Sequence, residues 1–214
     1  MKIPPAAGTT SLFLIRHGAT AANESVPFVL QGKGIDLPLS PRGVEQAAAV
    51  SALLGRYELG AIYSSGMLRA RQTAGAIAAA HDLPVLPLEN LHECDVGRWE
   101  GKDWGTVQRE FPDDHRKFLE DPAENPNLGG ESYGDVLMRV DPVLRKLLRT
   151  HAGQNIVVVA HNVVNRVFLA QLLGIKIRHA ASIRQANGCA NLIQDTNGVL
   201  GVTTLNATFH LETS

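Results

Sequence analysis

Three short stretches of the chain are apolar without alternation: Ser11–Ile15 (SLFLI), Ala61–Tyr63 (AIY) and Asn155–Ala160 (NIVVVA). Continuous apolar runs of this length suit strands covered on both faces, the environment of a parallel sheet between helix layers. Each run ends in polar groups: Arg16-His17-Gly18, Ser64-Ser65 and His161. Between the runs, apolar residues return every three or four positions, the helical period. Ser40 followed by Pro41 marks a helix start, and that segment continues through Val44, Ala47 and Ala48 to Leu54. Further helices are expected over Met67–Ala80, Ser132–Arg149 and Asn162–Leu173, the last stopped by Gly174. Pro142 predicts a kink or a break in the third of these. Two late strands are expected at Gly188–Gln194 and Gly201–Asn206, with Asn197-Gly198 as a hairpin turn between them.

The order strand, helix, strand, helix, irregular stretch, helix, strand, helix, hairpin predicts an α/β fold. It takes the form of a three-layer α/β/α sandwich around a mostly parallel central sheet. The polar stretch over residues 89–130 is too long for a plain connection and predicts a lid-like excursion over the carboxyl edge of the sheet. Pro4 and Pro5 predict a flexible arm over residues 1–10, ahead of one domain over 11–214.

Charge and composition narrow the choice of partner. The 214 residues carry 20 basic and 21 acidic side chains, for a formal charge of -1. That balance builds no broad basic face, so nucleic acid is not an expected partner. No apolar run approaches the length of a bilayer span, and MKIPPAAGTT lacks the apolar core of a secretory signal. A soluble, cytoplasmic protein with no membrane partner is the expectation. Cys94 and Cys189 are too few and too far apart for a disulfide framework or a zinc site.

In open α/β sheets, ligands bind at the carboxyl ends of the strands. Arg16 and His17 end the first strand, Arg69 starts the helix after the second, and His161 ends the later one. Two arginines and two histidines converging there make a positive pocket. Its natural guest is a phosphoryl group, held by guanidinium forks and helix N-termini. Neutral histidine is also a nucleophile toward phosphorus. Neither HExxH nor HxH spacing occurs, and the neighbouring arginines repel cations, so no metal site is expected. Trp99 and Trp104 are read as the excursion's own small core rather than a ligand wall.

LFLIRHGAT (12–20) resembles the signature of the histidine phosphatase superfamily, in its cofactor-dependent phosphoglycerate mutase-like branch. DLPLSPRG (36–43), IYSSGMLRARQTA (62–74), LHECDVGRWEG (91–101), GGES (129–132) and VVVAHNVVNR (157–166) resemble further blocks of the same family. The resemblance implies a phosphoglycerate mutase-like fold with His17 as nucleophile, Glu93 as proton donor and His161 as second histidine. It also implies phosphate contacts from Arg16, Asn23, Arg69 and His161, and from the backbone N–H of Asn162, where the family commonly has glycine. The implied activity is hydrolysis of a small phosphorylated metabolite through phosphohistidine, with no cofactor. A 2,3-bisphosphoglycerate-dependent mutase is the main alternative, and a non-catalytic phosphate-binding scaffold a second. Lys102, Arg109, His115, Arg116 and Lys117 are candidates for a second anion site, read here as a solvated face. A homodimer is expected only because it is the commonest assembly.

Overall fold

The computed structural model describes residues 2–212. Its elements run β1 (Thr9–Arg16), α1 (Ala21–Glu24), α2 (Pro41–Leu54), β2 (Ala61–Ser65), α3 (Leu68–Ala79) and β3 (Val85–Leu88). Then follow α4 (Trp104–Glu110), α5 (Pro112–Glu120), α6 (Tyr133–Thr150), β4 (Asn155–Ala160), α7 (Asn162–Leu173), β5 (Ala190–Thr196) and β6 (Val199–Ala207). The strands form one six-stranded sheet in the order β3-β2-β4-β1-β5-β6. The first four are mutually parallel, while β5 and β6 add antiparallel.

The apolar strands alternate between two cores. Leu12, Leu14, Ile156 and Val158 face a core shared with α6 and α7. Phe13, Ile15, Val157 and Val159 face the other, shared with α2 and α3. Both faces of β1 and β4 are therefore buried, which is why their sequences show no polar alternation. The architecture is the expected three-layer α/β/α sandwich.

Several details differ from the sequence reading. The residues assigned to a free arm are partly tied down. Thr9 and Thr10 are buried in β1, and Ile3 exchanges backbone hydrogen bonds with Arg56 and Glu58 (2.7 and 2.8 Å). Pro142 does not break α6, which is continuous from Tyr133 to Thr150. The carbonyl that loses its helical partner there is that of Met138, which is 79% exposed, so water can satisfy it. β3 was not anticipated. It is a four-residue edge strand in which Pro87 is tolerated because one side of the strand pairs with nothing. The hairpin turn is as expected, with Asn197 and Gly198 both at positive φ (53° and 84°). No helix among the described residues is long and apolar enough to cross a membrane.

The 89–130 stretch carries α4 and α5 and packs through aromatic side chains. Trp99 is fully buried, with ring centroids 5.4 Å from Phe118 and 5.9 Å from Trp104. Trp99 is thus the core of the excursion. Trp104 stacks on Phe118 at 5.8 Å in the same cluster, but it is 38% exposed and also lines a cavity beside it, so it is both core and wall.

Candidate active site

The end of β1 delivers Arg16 and His17 to the carboxyl edge of the sheet. Arg16 is buried, and its Nη1 donates to Gln185 O at 2.6 Å while Nε has no partner among the described residues. Burial lowers this guanidinium to about 10 against the opposing pull of Glu93. It remains charged at neutral pH.

His17 Nδ1 lies 2.7 Å from Gly18 O. A carbonyl can only accept, so Nδ1 carries the proton and Nε2 keeps its lone pair. Arg69 Nε donates to that same Nε2 at 3.3 Å. Burial, then the charges of Arg16 and Arg69, hold His17 well below the ordinary histidine value, and only the Gly18 carbonyl opposes them. The ring is neutral, oriented and nucleophilic at one nitrogen.

Gly18 and Gly43 let the loop after β1 lie against the first turn of α2. A Cβ on Gly18 would stand 2.3 Å from Gly43 O, and one on Gly43 would stand 2.0 Å from Ala19 O. Ser40 caps α2 by accepting from Gly43 N at 3.1 Å, and its own N–H donates to Ala19 O at 2.9 Å. The DLPLSPRG segment therefore clamps the histidine loop.

Arg69, in the first turn of α3, is 1% exposed. Its Nη1 and Nη2 donate to Ile35 O and Gly32 O, both at 3.0 Å. His161 caps α7 with its ring centroid 5.1 Å from that of His17. Its Nε2 lies 2.8 Å from Ser65 Oγ, and its Nδ1 is buried without a partner among the described residues. Burial, then Arg69, His17 and Arg16, hold His161 well below the ordinary histidine value.

Glu93 is 6% exposed and sits at the N-terminus of α7. Its carboxylate accepts from Cys94 N (2.9 Å), Asn162 N (2.9 Å) and Val163 N (3.2 and 3.3 Å). The backbone N–H expected to stay free at Asn162 is therefore engaged by Glu93. The reason is electrostatic: unpaired N–H groups at a helix start attract the nearest anion, and among the described residues Glu93 is the one carboxylate lining this cavity. The Asn162 side chain lines the cavity as well, with Oδ1 buried and unpartnered among the described residues.

Asn23, from the short α1, also lines the cavity. The structure brings Arg16, His17, Asn23, Glu93 and Asn162 into the cavity lining, with Arg69 and His161 beside His17 but not themselves in that lining. The five excursion cations, read as a solvated face, lie outside this group. Lys102 pairs with Glu110 at 2.7 Å, Arg116 pairs on the surface with Asp113 and Glu120, and none of the five basic residues lines the cavity.

The cavity holds about 310 Å³. Its wall includes Phe28, Leu30, Trp104 and Phe118, with Tyr133 and Arg166 as polar groups that the sequence reading did not single out. Arg166 Nε donates to Ile183 O at 2.8 Å, and burial pushes the Tyr133 phenol beside it up to about 12. Arg166 lies five residues past His161 on the predicted helix, so that spacing was its available signal. Gln185 and Asn187 come from an irregular segment that carries none. Among the described residues no group of three or more His, Cys, Asp or Glu is placed to hold a metal ion.

The model of the histidine phosphatase superfamily (branch 1) matches residues 12–208. Phosphoserine phosphatase 1 of Hydrogenobacter thermophilus is 34% identical over 94% of this chain and 93% of its own length. The adenosylcobalamin/alpha-ribazole phosphatase of Escherichia coli K12 is 29% identical over 85% of this chain and 88% of its own. The solved structure of Bacillus stearothermophilus YhfR superposes with a TM-score of 0.87 at 28% identity, covering 95% of this chain and 100% of that one. The chain therefore belongs to branch 1 of the histidine phosphatase superfamily and is an enzyme of its phosphomonoesterase type.

Proposed function

We propose that this chain hydrolyses a small phosphomonoester through a phosphohistidine formed on His17. The observation that carries this reading is the state of that ring: Nδ1–H fixed on Gly18 O, and Nε2 bare except for Arg69 in a buried cationic cup. In the first step Nε2 attacks phosphorus and the bond to the leaving oxygen breaks. Arg16, Arg69, Asn23 and His161 hold the equatorial oxygens in a site where little solvent screens them.

The departing alkoxide needs a proton, and Glu93 supplies it. Water then attacks the phosphohistidine, Glu93 takes its proton, and inorganic phosphate leaves.

Among the excursion cations Lys102 is engaged by Glu110 and Arg116 by Asp113 and Glu120, which favours hydrolysis over bisphosphate-dependent mutation, a reaction that needs a second anion site. Arg166 has no carboxylate partner among the described residues and gives the cavity a further positive charge suited to an acidic ester. Phosphoserine, named for the Hydrogenobacter relative, and alpha-ribazole phosphate, named for the Escherichia coli one, are the first substrates to assay.

Rapid-quench trapping with labelled substrate tests the nucleophile. The wild type is expected to carry acid-labile phosphate, whereas His17→Ala carries none and loses turnover. A wild-type enzyme that turns over without ever being labelled refutes the reading. Bisphosphate-dependent interconversion of phosphoglycerates faster than hydrolysis would replace it with the mutase.

A further inference from the structure

We propose that Asn187, which lies outside every motif quoted above, is a positioning residue that orients the Asn23 amide toward the phosphoryl site. The inference rests on the phosphoryl-transfer reading. Its argument is a chain of donors and acceptors in which each step fixes the next.

The first link is the main-chain carbonyl of His17, which can only accept. Asn187 reaches it at 3.2 Å, so the Asn187 atom facing it is the nitrogen Nδ2. The same Nδ2 lies 3.1 Å from the Asn23 side chain, and the atom there must be an acceptor. The Thr20 backbone N–H, a donor of fixed identity, lies 3.1 Å from that same atom. Two independent donors thus identify it as Oδ1. The opposite end of the amide, Nδ2, has no partner among the described residues, and Asn23 lines both the cavity and the cleft beside Asn187. Asn23 therefore offers the cavity a donor. Turned over, it would offer a lone pair to the phosphoryl oxygens and set its NH2 against two donors.

Asn187 is well placed to enforce this orientation. It sits 164 residues from Asn23 and 170 from His17, in a turn that is itself held. Gly188 N donates to both Arg16 O and His17 O (3.1 and 3.2 Å), and Ala186 N donates to Asn206 Oδ1 at 2.7 Å. The turn thus clamps the nucleophile loop through its backbone while one side chain sets a neighbouring amide.

Asn187→Asp keeps the shape and replaces the donor with an acceptor. The charged side chains lining the cleft beside Asn187 are Glu24, Arg42, Glu45 and Glu212, and two imidazoles adjoin its turn: His17, whose main-chain carbonyl accepts from Asn187, and His210, whose Nε2 lies 2.9 Å from Gly188 O. With p-nitrophenyl phosphate at pH 7.5, Asn187→Asp is expected to lower kcat/KM by about 10- to 100-fold, and inorganic phosphate should inhibit it correspondingly less. Asn187→Ala, in which Thr20 still orients Asn23, is expected to lose only about 3-fold. As pH falls and the introduced carboxylate gains a proton to donate, the ratio of Asn187→Asp to wild type should rise toward that of Asn187→Ala.

A double-mutant cycle covers the case in which the aspartate variant does not fold. In an Asn23→Ala background, Asn187→Ala should cost less than about 2-fold. Equal activity of the aspartate and alanine variants across pH would overturn the proposal, as would an undiminished alanine effect without Asn23. A wild-type protein that neither hydrolyses p-nitrophenyl phosphate nor is inhibited by inorganic phosphate would sink the phosphoryl-transfer reading instead.

Discussion

His17 and His161 make stability acid-sensitive in a way that can be isolated. Both imidazoles are buried, and both are held well below the ordinary value of 6.5, chiefly by burial and then by the guanidinium charges around them. In the unfolded chain each regains that ordinary value. Above pH 6.5 both states are neutral and the full stability is present. As pH falls below 6.5 the unfolded chain takes up two protons that the native state refuses, so stability is lost toward acid. One proton corresponds to about 1.4 kcal/mol per pH unit, so the pair sets a limiting slope of about 2.7 kcal/mol per unit until the native rings titrate. A domain is stabilised by only about 5–15 kcal/mol in total, so a single pH unit is readily measurable. The assay is urea denaturation between pH 7.5 and 5, comparing wild type with His161→Gln. The difference between the two proteins cancels the other titrating groups, His81 among them. The variant should lose about half of the limiting slope, whatever its stability at pH 7.5. Parallel pH dependence in the two proteins would show that His161 is not held neutral and would remove the electrostatic basis of the site.

Two other perturbations test separate parts of the structure. Glu93→Gln cannot supply a proton and turns one of the two accepting oxygens into a donor facing a backbone N–H, so hydrolysis of alkyl phosphates should fall by about 100-fold or more while aryl phosphates with good leaving groups fall far less. Equal loss for both, read from kcat/KM, counts against the acid role. Gly43→Ala would ordinarily favour a helix by about 1 kcal/mol, yet here the new Cβ meets Ala19 O at 2.0 Å, backbone that no rotamer change can clear. A net destabilisation of about 2–4 kcal/mol in chemical denaturation, with reduced turnover, is expected, and a stabilised variant would contradict the loop clamp.

What the sequence revealed follows from how each element is stabilised. β1 and β4 were legible because both faces are buried, leaving uninterrupted runs such as Leu12–Ile15 and Ile156–Ala160. β3 was not, because a partly exposed edge of four residues containing Pro87 carries no period. That Pro142 does not break α6 was not legible, because its effect depends on whether the freed carbonyl meets water, a property of the fold rather than of the local sequence. The site divides in the same way. Arg16, His17, Arg69 and His161 stand at strand ends or helix starts, positions that periodicity can mark. Glu93 came from resemblance alone, since it follows a short 3-10 turn with no periodic signal. Gln185 and Asn187 lie in irregular chain, and their contribution is the direction of one carbonyl and one amide.

These late residues explain how so cationic a site can be built at all. Arg16 and Arg69 are almost wholly desolvated, yet among the described residues the cavity they serve is lined by one carboxylate, Glu93, itself shared among three backbone donors. Asp36 approaches Arg69 at 3.7 Å but is half-exposed, so it neutralises little of that charge. The guanidiniums are instead held by carbonyls: Gln185 O for Arg16, Gly32 O and Ile35 O for Arg69. Carbonyl dipoles satisfy N–H groups without cancelling net charge. A carboxylate in the same positions would have closed a salt bridge and left nothing for an incoming anion. The fold therefore meets the hydrogen-bonding needs of its buried cations with neutral acceptors and keeps their charge for the phosphoryl group. That distinction is why the supporting residues are amides and main chain, which a search of the sequence for charged motifs passes over.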